Sequence, residues 1–434
     1  MNKTLPLLSL SLLLFLFSCE QDLPISLRPT ADISMTDEAQ RAFMVSQQHG
    51  SRIPGEYILM FKEDLPYFER LDQEDINSQP NEQRASLART AEISAKRHEV
   101  IESYLIERLA KHQVKQQSVK RIYDIGRSKG ALLNLTEAEA AEMALDESVA
   151  SVEANEIIAM SLNPGSKSRL VPADNGPATQ LTTQNISAVG GTRDFSNKSN
   201  WAFIIDSGID LDHPDLNVET AYSFSTVSYE SDANDYFGHG THVAGVIGAK
   251  NDGKGVVGVA SGASMVAVKV LDKNGYGTKD NLLKALARVQ YMVKEGDVIN
   301  ISLGTDESSF IDNAIINIKN LKKVRIVVAA GNQGVSTFDL SPAKIKDKDV
   351  FVVGSVNENL NFSTFSNYGL SVEFLAPGEG IYSTYKNGKY AWMNGTSMAA
   401  PHVAGILLVS GGRYRTKKQI KLKSGNKARV IRHF

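Results

Sequence analysis

Four short motifs carry residues whose types could do chemistry together. In Asn394-Gly395-Thr396-Ser397-Met398-Ala399-Ala400-Pro401-His402-Val403-Ala404-Gly405, small residues lead into Ser397 and apolar packers follow it. The pattern predicts a tight loop feeding a buried helix, with Ser397 in its first turn. A helix N-terminus carries N–H groups without intrahelical partners and a partial positive charge, so an oxyanion formed beside it is stabilised. Serine is a weak nucleophile until a base takes its proton. The other three motifs supply what is missing. Ile204-Ile205-Asp206-Ser207-Gly208 ends an apolar strand in a carboxylate. Gly238-His239-Gly240-Thr241-His242 opens a second helix with an imidazole. Val327-Val328-Ala329-Ala330-Gly331-Asn332 ends another apolar strand in a side-chain amide. Ser397 as nucleophile, His239 as base, Asp206 as its orienting carboxylate and Asn332 as oxyanion donor make a complete set for acyl transfer.

The elements that must position these groups are legible around them. Apolar runs at 201–206, 265–271, 298–302, 324–330 and 350–353 are nearly continuous, as expected of strands covered on both faces. Between them, Leu282, Leu286, Val289 and Val293 share one helical face, and Phe310, Ala314, Ile318 and Leu321 share another. Alternating strands and helices predict a doubly wound α/β sheet. Its ligands bind beyond the carboxyl ends of the strands, where Asp206 and Asn332 fall.

These motifs resemble the subtilisin-like serine proteases (subtilases) at all four positions, in the order Asp, His, Ser that the family shows. The resemblance runs from about residue 180 to 412. It implies a serine endopeptidase working through an acyl-enzyme, with no cofactor for catalysis and protein or peptide substrates. It also implies that Gly275-Tyr276-Gly277 and Ser302-Leu303-Gly304 clamp an extended peptide, and that Ala329-Ala330-Gly331 walls the pocket for the residue before the cut. That pocket reads as apolar. The family further implies structural Ca²⁺ held by Gln180, Asp215 and the loop with Asn251 and Asp252; oxygen ligands suit calcium, and a solvated Gly-rich turn is the competing reading. His242 and His402 read as packed histidines, Asp210 and Asp212 as turn or surface carboxylates, and Ser207 as packing.

Residues 54–162 form a second unit. A strand at 55–62, a long amphipathic helix within 82–112, strands at 119–123 and 131–135, a helix capped by Thr136 with Glu139, and a strand from 149 give the order β-α-β-β-α-β. That order predicts a small α+β ferredoxin-like sandwich. Residues 130–136 and 151–155 resemble the subtilase propeptide, the inhibitor-type pro region. The resemblance implies an intramolecular inhibitor and folding aid, released by self-processing across the linker 163–179.

At the N-terminus, Lys3 and the apolar run 5–17 are built like a signal peptide (residues 1–18). Leu16-Phe17-Ser18-Cys19 resembles a bacterial lipobox, which implies export and a lipidated Cys19, with 19–53 as tether; a plain secretory signal is the alternative. Cys19 is the single cysteine among 434 residues, so no intrachain disulfide forms. Without cysteine or histidine clusters, zinc chemistry has no support. The formal net charge of −2 gives no reason to expect nucleic acid. Residues 413–434 read as a basic tail. A silent binding protein that keeps the fold and a dedicated inhibitor are the rival functions; the complete Asp206, His239, Ser397 set weighs against both.

Overall fold

The computed structural model describes residues 49–69, 71, 87–160 and 174–433. The signal-like stretch, Cys19, the tether up to residue 48 and residues 163–173 of the linker lie outside the described residues.

The N-terminal unit consists of β1 (Arg52–Phe61), α1 (Leu87–Lys111), β2 (Val119–Ile125), β3 (Ser128–Asn134), α2 (Glu137–Met143) and β4 (Val149–Ala159). Its strands pair antiparallel in the order β4-β1-β3-β2. Thr136 starts α2 with a full capping box: its hydroxyl accepts from Glu139 N, and the Glu139 carboxylate accepts from Thr136 N at 2.8 Å. Successive side chains of β1 point to opposite faces. Leu59 and Phe61 pack with Ile101, Leu105 and Leu133 under the helix. Ile58 and Met60 face the other way and join the core of the larger unit, alongside Phe310 and Leu283.

That larger unit contains α3 (Gln184–Ala188), β5 (Ala202–Asp206), α4 (His239–Gly248), β6 (Ser264–Lys269), β7 (Tyr276–Thr278) and α5 (Lys279–Val289). It continues with β8 (Val298–Ile301), α6 (Ser309–Lys322), β9 (Arg325–Ala329), β10 (Val350–Val356) and β11 (Val372–Pro377). The hairpin β12 (Ile381–Tyr385) and β13 (Lys389–Met393) leads into α7 (Thr396–Ser410). The sheet runs β11-β10-β9-β8-β5-β6, all parallel. The α/β doubly wound architecture read from the apolar runs is therefore present. Two cores flank the sheet. One holds α5 and α6, and the other holds α4 and α7, whose first turns carry His239 and Ser397.

Three stretches differ from expectation. Residues 413–434 are not a tail: β14 (Arg415–Lys421) and β15 (Lys427–Arg432) form a hairpin, and β15 adds to β11 in parallel. Ala428, Val430 and Ile431 are buried there. In β15 three apolar residues stand among Lys427, Arg429 and Arg432, which hid the strand, because its burial comes from a neighbour distant in sequence. Residues 49–53, assigned to the tether, belong to the fold; Gly50 N donates to Ile157 O and Ile157 N to Ser51 O, both 2.9 Å. The end of the linker is docked as well, with Asp174 bridged to Tyr390.

Candidate active site

The site forms where strand ends meet helix starts. Asp206 closes β5 and is fully buried. Its Oδ1 accepts from Ser207 N and from His239 Nδ1, both at 2.7 Å. A carboxylate only accepts, so Nδ1 carries the proton and Nε2 is left as the free base of the ring.

His239 is placed by the start of α4. Gly238 before it adopts φ +108°, which a side chain would strain. At Gly240 a Cβ would fall 2.0 Å from Gly208 O, so only glycine lets the helix approach the Asp206 loop this closely. Asp235 ties the turn together, a role absent from the sequence reading. Its Oδ1 accepts from Gly238 N at 2.7 Å and Ser207 Oγ at 2.9 Å, and its Oδ2 from Thr241 N at 2.9 Å. Burial pushes its carboxyl up against these donors. An acidic residue four positions before His239 was the available signal. Ser207, read as packing, is thus a polar link, and its Oγ also accepts from Gly240 N at 3.0 Å.

Ser397 is the second residue of α7. Its Oγ donates to Ser302 O at 3.0 Å. Asn332 Oδ1 accepts from Thr396 N at 2.8 Å, which fixes the amide with Nδ2 turned the other way. Gly395, at φ +150°, lies between Asn332 and Ser397: a Cβ there would fall 3.3 Å from Asn332 Nδ2 and 3.7 Å from both Asn332 Oδ1 and Ser397 N.

A cavity of about 180 Å³ opens beside Ser397. Ser302, Leu303, Gly304, Ala329, Ala330, Gly331 and Gln333 line it, so the three residues expected as its wall and the second peptide edge meet there. The other edge is occupied. β4 pairs antiparallel with β7, setting Ile158 against Gly277 and Ala159 against Tyr276, and Met160 N donates to Gly275 O at 3.0 Å. Met160 and His49 also line the cavity. A larger cavity of about 520 Å³, between Gln184, Glu358, Glu379 and Trp392, contains none of the reactive groups.

The histidines separate cleanly. His242 is fully buried, with Nε2 donating to Ile381 O and Ala391 O at 3.0 and 3.1 Å. Burial pushes it down to about 3. His402 Nδ1 donates to Met398 O at 2.8 Å, its Nε2 accepts from Asn185, and burial lowers it to about 4. Neither touches Ser397 or Asp206 among the described contacts. Asp210, read as a turn or surface carboxylate, is buried and accepts from Gly388 N at 2.8 Å; Asp212 is exposed.

The oxygens near Asp215 bear on a cation. Among the described residues no group of three or more His, Cys, Asp and Glu could hold a metal. Gln180 instead spans the neighbouring loop: its Nε2 donates to Lys250 O at 2.7 Å and to Val256 O at 3.3 Å, and its Oε1 accepts from Gly253 N. Asp215 Oδ2 accepts from Val256 N and Tyr390, while its buried Oδ1 has no partner. Burial raises this carboxyl to about 7. An orphaned buried carboxylate oxygen beside carbonyls fits a hard cation. Asn251 and Asp252 are exposed on the same loop.

Comparison with known proteins agrees with this geometry. The pattern of the Subtilase family matches residues 203–423. The chain is 41% identical over 215 residues to the thermophilic serine proteinase of Bacillus sp. (strain AK1), covering 48% of this chain and 52% of that protein. It is 40% identical over 218 residues to subtilisin DY of Bacillus licheniformis, covering 49% of this chain and 77% of that one. The match thus spans about half the length of the first relative. A crystal structure of a cold adapted subtilisin-like serine proteinase superposes with a TM-score of 0.53 at 28% identity, over 58% of this chain and 98% of its own.

Proposed function

From the premise that the chain belongs to the subtilase family, we propose that it is a serine endopeptidase made as a self-processed precursor. The observation that carries the reading is the Asp206–His239 hydrogen bond at the strand end facing the Ser397 helix. Asp206 holds the imidazole with Nε2 free. His239 takes the Ser397 proton as Oγ attacks the peptide carbonyl. Asn332 Nδ2 and Ser397 N bind the oxyanion, and His239 then protonates the leaving amine. Ser397 Oγ donates to Ser302 O in this form, so it must swing from that carbonyl to His239 before attack.

The N-terminal unit acts as the inhibitor. β4 lies in the cleft in the antiparallel register of a bound peptide. Glu153 accepts from Ser309 N and Phe310 N at the start of α6, and Asn155 Oδ1 accepts from Asp280 N at the start of α5. A carboxylate at a helix N-terminus is favourable. Lys279 pairs with Glu156 at 2.8 Å, and Tyr123 OH donates to Asp280 at 2.6 Å. Met160, near the end of this unit, lines the cavity beside Ser397, so the processing cut falls after it.

Calcium, where bound, is held by Gln180, Asp215 and the carbonyls of Lys250 and Val256, and neutralises Asp215 rather than taking part in catalysis. The signal-like N-terminus and Cys19 support export and a lipid anchor. The test of the central reading is Ser397→Ala: the expected result is a full-length precursor that stays uncut and hydrolyses no peptide. Mature enzyme appearing at the normal rate in a pure Ser397→Ala preparation overturns self-processing.

A further inference from the structure

Among the described residues, three of the eight exposed large hydrophobics fall in one place: Val335 (45% exposed), Phe338 (78%) and Leu370 (63%). They are neighbours because two segments run side by side. Ser336 and Tyr368 form a parallel bridge, Tyr368 N donates to Val335 O at 3.0 Å, and Thr337 N donates to Tyr368 O at 2.9 Å. Phe338 and Leu370 each lie two residues beyond that bridge. The basic hairpin β14–β15 abuts them. Lys423 Nζ sits 5.3 Å from the centre of the Tyr368 ring, and Asn426 Nδ2 donates to Val372 O at 3.2 Å. Residues 413–434 hold nine Lys and Arg and no Asp or Glu, which leaves the remainder of the chain with 38 Lys and Arg against 49 Asp and Glu. The charge is therefore sharply polarised. Every residue of β14 except Ile420 is exposed on the sheet edge. Acids near this face include Asp339, beside Phe338, Glu373, 3.6 Å from Arg429, and Glu358, two residues before the Leu360 carbonyl that accepts from Lys418.

We propose that this face docks on the anionic headgroup surface of a lipid bilayer, with Phe338 and Leu370 entering the headgroup layer and β14–β15 lying on the phosphates. Charge complementarity selects this occupant. A few protruding apolar side chains flanked by a cation-rich, acid-free strand give shallow insertion plus electrostatic attraction. A stable protein partner needs a larger apolar centre than three side chains provide. Among the described residues no helix is long and apolar enough to cross a membrane. Val335 follows the cavity wall Ala329–Gln333 by two residues; if the peptidase reading holds, docking brings the mouth of the cleft to the bilayer.

The test uses the full chain carrying Cys19→Ser, with Phe338→Cys labelled by an environment-sensitive dye. Leu145→Cys, on the N-terminal unit and 77% exposed, is the control position, and both labelled chains carry Ser397→Ala so that this unit stays attached. Vesicles of equimolar phosphatidylglycerol and phosphatidylcholine should shift the emission to the blue at position 338 and not at 145, and pure phosphatidylcholine should do neither. Replacing Lys417, Lys418 and Lys421 by Gln should weaken the response on the order of a hundredfold, and by Glu further still. The Gln set keeps the test sound should charge reversal disturb the edge. No shift at 338 on anionic vesicles overturns the proposal. So do equal shifts at both positions, a shift that grows with protein concentration without lipid (a second copy), and one produced by an acidic polypeptide but not by vesicles. Fluorophosphonate labelling of the parent chain, with Ser397 intact, reports separately on the peptidase reading.

Discussion

Replacing His242 by Ala should weaken the fold while leaving catalysis in whatever folds. His242 Nε2 lies between the carbonyls of Ile381 and Ala391 at 3.0 and 3.1 Å, so it fastens the β12–β13 hairpin to α4. Removing the donor costs ~1–3 kcal/mol for buried acceptors left short of a partner. Opening a cavity in a fully buried site adds about 2 kcal/mol. The expected loss at pH 7 is therefore about 3–5 kcal/mol, a large part of a typical domain's ~5–15 kcal/mol. The loss depends on pH with a definite sign. An unfolded histidine titrates near 6.5, whereas burial holds His242 at about 3. The folded state excludes a proton that the unfolded state binds, so stability is full above pH 6.5 and falls as pH drops toward 3. At pH 5 the wild type should already have lost about 2 kcal/mol through this one residue, since each unit is worth about 1.4 kcal/mol. His242→Ala cannot lose it. Urea unfolding of both chains in a Ser397→Ala background, at pH 7 and pH 5, should show the gap narrowing by about 2 kcal/mol. A gap that is the same at both values refutes the reasoning. A stable, well-folded His242→Ala enzyme with no turnover would refute the assignment of His239 as base.

Three further outcomes are expected. A peptide-library profile should favour apolar residues before the cut, because Leu303, Ala329 and Ala330 wall the cavity and no acid lines it; dominance of Arg or Lys contradicts this. Calcium at about a hundred times its Kd should stabilise the protein by ~2.7 kcal/mol in thermal unfolding. Asp215→Asn should blunt that response, and an unchanged midpoint with and without chelator would dismiss the site. Cys19→Ser should move the protein out of the detergent phase, and unchanged partitioning would dismiss the lipid anchor.

The sequence was most informative where one residue type does one job. Asp206, His239, Asn332 and Ser397 stand out because their four motifs resemble those of the subtilases, and the apolar runs mark the strands beside them. The sheet and the β-α-β-β-α-β unit followed from periodicity. Three things did not. Asp235 organises the His239 turn through backbone N–H groups, and an acid four positions before the histidine is the one mark it leaves in the sequence. The hairpin β14–β15 carries so few apolar residues that only its pairing with β11 makes it a strand. Residues 49–53 pair with β4 across a hundred positions of chain, beyond the reach of any local pattern. The orientation of Ser397 toward Ser302, rather than toward its base, was also invisible, since a hydroxyl rotamer leaves no trace in composition.

The most direct measurement of the central claim is fluorophosphonate labelling of the processed protein, with the adduct located by mass spectrometry. A serine reacts quickly only when a working base removes its proton. The account predicts one adduct, on Ser397, lost in His239→Ala and retained in folded His242→Ala. An adduct on another serine, or none on a folded chain freed of its N-terminal unit, would contradict it.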